Sequence, residues 1–251
     1  MSKIISFSLW GNNPKYNIGA IRNAELAKQL FPDWICRFYI GQSVPDKTIL
    51  ALEALDPNCY IWHMDNDPQG GPGRQSHSGS YDRSKIQLFK RNILGDWRMM
   101  FDRFRPAYDS DVGIMLSRDC DSRLSAREKS AVNEWILSDK DFHTIHDHFY
   151  HTVPILGGMF GMKRDAVPAF EFLMQNWLSS RKGNYWQIDQ EFLSQEIWPR
   201  VKDNTLNHSE FHTNIWPGKP IPIPRSGREF IGATYNEFDV IDPEQQKVLY
   251  G

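Results

Sequence analysis

The chain predicts an α/β fold, a mostly parallel central sheet flanked by helices. Three observations lead there. β-rich runs alternate with amphipathic helical runs through the first third of the sequence. The stretch DVGIML at 111–116 is a nearly continuous apolar run, the composition of a strand buried on both faces. A chain of 251 residues with 40% hydrophobic and 13% aromatic residues holds enough apolar material for one large core or two small ones.

Taken in order, KIISFSL at 3–9 places Ile5, Phe7 and Leu9 on one face and reads as a strand. Asn17 is positioned to cap a helix carrying Ala20, Ala24, Ala27 and Phe31, which Pro32 stops. CRFYI at 36–40 and CYIWHM at 59–64 read as strands, with a helix predicted over 47–55 between them. NDPQGGPGRQSHSGS at 66–80 reads either as a surface loop or as a lid over a ligand site. Helices are predicted over 85–94 and 98–104, and the buried strand follows. Ser125-Ala126-Arg127-Glu128 forms a capping box that opens a helix with Val132, Trp135 and Ile136 facing inward. Further on, Asp165 is placed to cap a helix with Phe170, Leu173 and Trp177, and a helix over 188–197 ends at Pro199. The Pro- and Gly-rich tail from 216 to 232 is expected to wrap the sheet. No repeat or linker divides the chain, so 1–251 is read as a single domain.

Composition narrows the function. Lys and Arg number 29 against 31 Asp and Glu, a net charge of −2, so nothing suggests a nucleic-acid coat. No apolar run approaches the ~20 residues of a membrane span, so no transmembrane segment is expected. The start, MSKIISFSLWGNN, does not read as a secretory signal. Three scattered cysteines supply neither a disulfide framework nor a zinc ribbon. A cytoplasmic protein is the expectation.

The most informative segment is LSRDCDSR at 116–123. Asp119 and Asp121 follow directly on the buried strand, where open α/β sheets place ligands. A turning backbone would converge both carboxylates on a hard divalent cation, Mg²⁺ or Mn²⁺. Arg118 and Arg123 flank the pair and suit phosphate oxygens. The plain alternative is a solvated Asp-Ser turn ahead of a capped helix. His143, His146, His148 and His151 crowd into nine residues, yet their spacing lacks the helical i, i+4 pair or cysteine partners of a zinc site.

These residues carry a resemblance. The run Ser117-Arg118-Asp119-x-Asp121-Ser122-Arg123 before Arg127-Glu128 resembles the Asp-x-Asp motif of GT-A-type nucleotide-sugar glycosyltransferases. The chain is particularly similar to lipopolysaccharide and capsule glycosyltransferase-like proteins of bacteria, plants and large viruses. The similarity runs from SFSLWGNNPKYNIGAIRNAELA through Asp147-His148-Phe149-Tyr150-His151 to Arg225-x-Gly227-x-Glu229-Phe230-Ile231-Gly232. It departs at Asp102, where a Trp would be expected, and is poorest over 66–95.

The resemblance implies a GT-A-like, Rossmann-like sheet whose first half (1–123) binds the nucleotide sugar and whose second (124–251) binds acceptor. It implies Asp119 and Asp121 as ligands of Mn²⁺ or Mg²⁺, with His208 as third ligand and His212 behind it. Ser8, Leu9 and Trp10 would cradle the nucleobase, and Arg22, Arg103, Arg118 and Arg123 would face donor phosphates. Arg22 reads equally as a surface helix residue, and Asp189 also as a charge at a helix start. His148, Gly157, Gly158, Asp189 and Gln190 would line the sugar and acceptor side, with Asp189 or Asp147 as catalytic base. The implied reaction is metal-dependent transfer from a nucleoside diphosphate sugar, UDP-linked before GDP-linked, to a glycan or other hydroxyl acceptor. Two rivals remain at this point: a non-catalytic nucleotide- or sugar-binding relic, and a metal-dependent phosphohydrolase.

Overall fold

The computed structural model describes residues 1–64, 83–181 and 187–250. The 66–80 stretch lies outside them. Eight strands form one sheet in the order β3-β4-β2-β1-β5-β7-β6-β8. They are β1 (Ser2–Leu9), β2 (Ile35–Ile40), β3 (Tyr60–His63), β4 (Ile86–Lys90), β5 (Val112–Arg118), β6 (Phe142–His146), β7 (Met159–Lys163) and β8 (Thr205–Ser209). Among the described residues only β7 runs against its neighbours, pairing antiparallel with β5 and β6. The architecture is the mostly parallel, helix-flanked α/β sheet that the alternating pattern predicted.

Alternation along the strands divides the core. Ile5, Phe7 and Leu116 face helices α1 (Pro14–Leu30), α2 (Asp46–Ala54) and α3 (Ala126–Leu137), where Ala20, Ala24 and Trp135 meet them. Small residues let α1 lie close to the sheet, and Phe7 stacks on Phe38 with centroids 4.9 Å apart. Ile4 and Met115 point to the other face. There a 3₁₀ run (Trp97–Tyr108), α4 (Phe170–Ser180) and α5 (Ile188–Phe192) contribute Phe101, Phe104, Phe170 and Phe192. No helix among the described residues is long and apolar enough to cross a membrane.

Several elements differ from their sequence reading, each for a physical reason. The 85–94 stretch is not helical. Its first half is β4, inserted between β2 and β3, because Ile86, Leu88 and Phe89 fill the core. The Asp56 carboxylate accepts from the amides of Lys85 (2.5 Å) and Ile86 (3.0 Å) at its start. Helix α1 is capped by Asn13, whose side chain accepts from the Lys15 amide, with Pro14 in its first turn. Asn17 therefore lies inside the helix. Asp165 does not cap α4, which starts at Phe170 after Ala169 in a left-handed conformation at φ 58°. Pro199 does not stop the helix begun at Ile188. A π-turn over Leu193–Ile197 absorbs the mismatch, and α6 (Trp198–Val201) carries the proline in its first turn. The last helix, α7 (Pro243–Tyr250), closes the tail.

The clustered histidines are structural. Fully buried His143 stacks on Trp135 and shares a 2.8 Å hydrogen bond, Nε2 to Nδ1, with His208. Burial holds His143 and His151 well below the usual imidazole range. An unfolded histidine takes up a proton below pH ~6.5 and the buried one does not, so its contribution is complete above that pH and lost as pH falls. The stability gap between the wild type and His143→Phe, read from denaturant unfolding, should therefore narrow by about 1.4 kcal/mol per pH unit below about 6.5. A gap that does not change between pH 7.5 and 5.5 would contradict this.

Candidate functional site

The sheet reverses its winding at β1. The chain moves to β2 on one side and later returns to β5 on the other. The carboxyl ends of β1 and β5 thus flank the crevice where such sheets bind ligands. Past β5 the backbone turns tightly, with the Ser122 amide donating to the Asp119 carbonyl at 3.3 Å. Fully buried Asn23 of α1 fixes that turn. Its amide group donates to the Ser122 (2.8 Å) and Cys120 (3.3 Å) carbonyls, and its oxygen accepts from the Leu124 amide (3.0 Å). Gly19 permits this close approach, since a Cβ there would lie 1.9 Å from the Cys120 carbonyl oxygen.

The turn brings Asp119 and Asp121 to the crevice. Arg103, from the 3₁₀ run, reaches Asp119 with Nη1 and Asp189 with Nη2 (2.5 Å) while its amide donates to Ser8 Oγ at 3.0 Å. Asp189 stands at the start of α5 and is buried, its Oδ1 accepting from the Gln190 amide at 2.9 Å. Burial raises its carboxyl above the usual range, against the pull of Arg103, and Asp119 adds to the rise. Gly157 and Gly158 form the floor. A Cβ on Gly157 would sit 2.6 Å from Asp189 Oδ2, and one on Gly158 would sit 1.9 Å from Asp119 Oδ2. Ser117 Oγ donates to the Gly157 carbonyl at 2.6 Å and holds that floor against β5.

Two residues that the sequence reading missed complete the cleft. Lys15 Nζ lies 2.8 Å from Asp121 Oδ2 and 4.9 Å from the centre of the Tyr16 ring. Burial pulls the Lys15 ammonium down, but the hydrogen bond and charge of Asp121 outweigh it and the net shift is upward. The available signal was Asn13-Pro14, which starts α1 four residues before Asn17 and aims its first turn at the end of β5. Asp121 is raised by burial and by the charge of Asp119, with Lys15 only partly opposing. Asp119 and Asp121 supply two oxygen donors, the ligand type a hard divalent cation takes together with phosphate and water, and here each is paired, with Arg103 and with Lys15. Among the described residues no third His, Cys, Asp or Glu joins them.

Other candidates are placed elsewhere. His208 does not reach Asp119 or Asp121: its ring is spent on His143 and on Glu134 Oε2 at 3.2 Å. His212 bonds the Phe149 carbonyl. Arg118 points into the core, where Glu128 and the Ser117 and Phe160 carbonyls bind it. Asp147 is no base at an open cleft. It is fully buried, clasped by Arg127, by Arg225 (2.7 Å) and by the Ile231 amide (2.8 Å). Burial nonetheless pushes its carboxyl up to about 6, against the two arginines. His148 is buried too, stacked on Phe230 at 4.3 Å and bonded to the Gln245 carbonyl. Both residues tie the C-terminal tail to β6. Leu9 is core, and Trp10 packs against Gly41 and Gly95 at the end of β1. Arg22 and Arg123 both grip Asp239.

No family model matches the chain, and no curated protein matches it. Among solved structures it is similar to a glycosyltransferase involved in glycosylation of the major capsid of PBCV-1, at 15% identity and a TM-score of 0.45, over 83% of this chain and 82% of that one. It is also similar to galactosyltransferase LgtC, solved with donor and acceptor sugar analogues (13%, TM-score 0.42, 82% and 73%). A third likeness is 4-diphosphocytidyl-2C-methyl-D-erythritol synthase from Anaerococcus prevotii (9%, TM-score 0.46, 85% and 91%). Values this low carry no argument about function, which rests on the site's own residues.

Two substitutions test these buried contacts. Gly158→Ala drives a methyl into the place of the Asp119 carboxylate and should cost about 1–3 kcal/mol of stability in denaturant unfolding. Asp147→Ala leaves two arginines without their buried partner and should cost about 3–5 kcal/mol of stability in denaturant unfolding.

Proposed function

We propose that the protein is a metal-dependent glycosyltransferase moving a sugar from a nucleoside diphosphate sugar, UDP-linked rather than GDP-linked, to a hydroxyl of a glycan or similar acceptor. One observation supports this reading above the others. Arg103 draws Asp119 of the first half of the chain and Asp189 of the second into a single glycine-floored cleft at the switch point of the sheet. On this reading 1–251 works as one domain, 1–123 taking the nucleotide sugar and 124–251 the acceptor.

The residues divide the work by chemistry. The amino end of the seventeen-residue helix α1 opens beside the cleft and brings its positive dipole toward a diphosphate. Lys15, in its first turn, adds a mobile ammonium there, and Arg103 adds a fixed guanidinium where charge develops on the leaving group. Asp119 and Asp121 would hold Mn²⁺ or Mg²⁺. When bound, that ion supplies Lewis-acid neutralisation of the departing diphosphate. Gly157 and Gly158 let the Asp189 and Asp119 carboxylates lie directly against the backbone. Asp189, with its pKa raised by burial, accepts the acceptor hydroxyl's proton in an inverting transfer. A phosphohydrolase that uses an aspartyl nucleophile is less well served, because that class wants its motif after the first strand, whereas Asp119 and Asp121 follow β5 near the middle of the chain.

UDP titrated calorimetrically should bind with Mn²⁺ present and lose binding in its absence or in Asp121→Ala. Asp189→Asn should keep UDP affinity and lower turnover of a radiolabelled donor panel by about 10²-fold or more. Binding of neither UDP nor GDP would sink the reading. Binding without turnover of any donor would leave the relic instead.

A further inference from the structure

Both carboxylates of the turn after β5 are held by cations of the chain itself, and those two cations differ in freedom. Arg103 is fixed. Its side chain is buried, its second arm is on Asp189 and its amide is on Ser8. Lys15 reaches Asp121 Oδ2 at 2.8 Å, with the two side chains 26% and 17% exposed, so water can replace either partner.

The backbone beneath Lys15 is anchored. Its amide donates to the Asn13 side chain, and Asn23 and Gly19, further along the same helix, pin α1 to the carboxylate turn. What turns freely is the aliphatic stem with the ammonium at its end. The Tyr16 ring, its centre 4.9 Å from Nζ, is only a second, weaker partner. Charge decides when the stem swings. An ammonium at 2.8 Å and a divalent cation at the ~2.1 Å of a metal–oxygen bond on the same carboxylate repel one another. A donor diphosphate in the same cleft offers the displaced ammonium a new anion.

We propose that Lys15 is an exchangeable counter-ion: it holds Asp121 while the cleft is empty and passes to the diphosphate when a divalent cation takes Asp121, so that cation and nucleotide bind cooperatively. The proposal rests on the reading that Asp119 and Asp121 hold that cation. Each ligand alone works against the pair. The cation has to send Lys15 into water, and the nucleotide has to draw Lys15 away and leave Asp121 unpartnered. Together they remove each other's cost. By linkage, UDP tightens the cation by the same factor as the cation tightens UDP. A stationary ammonium would change the two affinities separately and leave that factor untouched. Only a lysine that changes partner alters it.

The test is a set of Mn²⁺ titrations of the full chain, followed by electron paramagnetic resonance of the free ion, with and without UDP. Wild type, Lys15→Met and Lys15→Gln are compared, and circular dichroism confirms that each is folded. Mn²⁺ alone should bind both variants about three- to tenfold tighter than wild type, because no ammonium competes for Asp121. The factor by which UDP tightens Mn²⁺ should fall several-fold in both. Mn²⁺ affinity that is unchanged or weaker in both variants without UDP, or a UDP factor equal to that of wild type, would overturn the proposal and leave the cation site standing. Mn²⁺ that binds none of the three proteins, with or without UDP, would overturn both the proposal and the reading on which it rests.

Discussion

The cleft depends on one buried guanidinium. Arg103 lies between Asp119 at the end of β5 and Asp189 at the start of α5, with its own amide on Ser8 of β1. A charge removed from water is tolerated only when its partners are in place, and the same holds for the buried Asp189 carboxylate. Three segments distant in sequence are therefore mutually required, and none can shift without stranding a charge. The arrangement also lays both carboxylates against the backbone, because Gly157 and Gly158 put no side chain in their way.

The turn after β5 is fixed from behind by a different means. Asn23 satisfies two carbonyls and one amide of the turn, and Gly19 allows α1 to touch it. Buried backbone groups in an irregular segment need such partners, since no strand or helix supplies them. The result couples the amino end of α1 to the carboxylate pair. Lys15 and Asp121 meet because the helix that carries one packs against the loop that carries the other.

The tail is attached through polar contacts as well as through the buried Ile221, Phe230 and Ile231. Asp147 receives Arg127, Arg225 and the Ile231 amide, His148 stacks on Phe230, and Asp239 spans Arg22 and Arg123. Polar pins hold a proline-rich segment that has too little regular structure to bury its own backbone.

Much of the fold was legible because period and composition report local requirements. The alternation in β1, the alanine stripe of α1 and the capping box before α3 each state which face is buried. β4 was not legible. Its apolar residues are too few for a period to emerge, and its identity depends on a slot between β2 and β3. The same division runs through the site. Asp119 and Asp121 were legible from their position after a buried strand, while Gly157-Gly158 entered only through the family resemblance. The fates of Asp147, His148, Arg118 and His208 were not, because a charged or imidazole side chain reads the same whether it faces a ligand or a buried partner. Sequence alone determined the α/β class and the carboxylate turn, which are set by neighbours along the chain. Tertiary structure alone decided which arginine joins that turn, which aspartate pins the tail and that Lys15 belongs to the cleft. Those pairings join residues as far apart as Arg103 and Asp189, and only packing sets the distance across which charges interact.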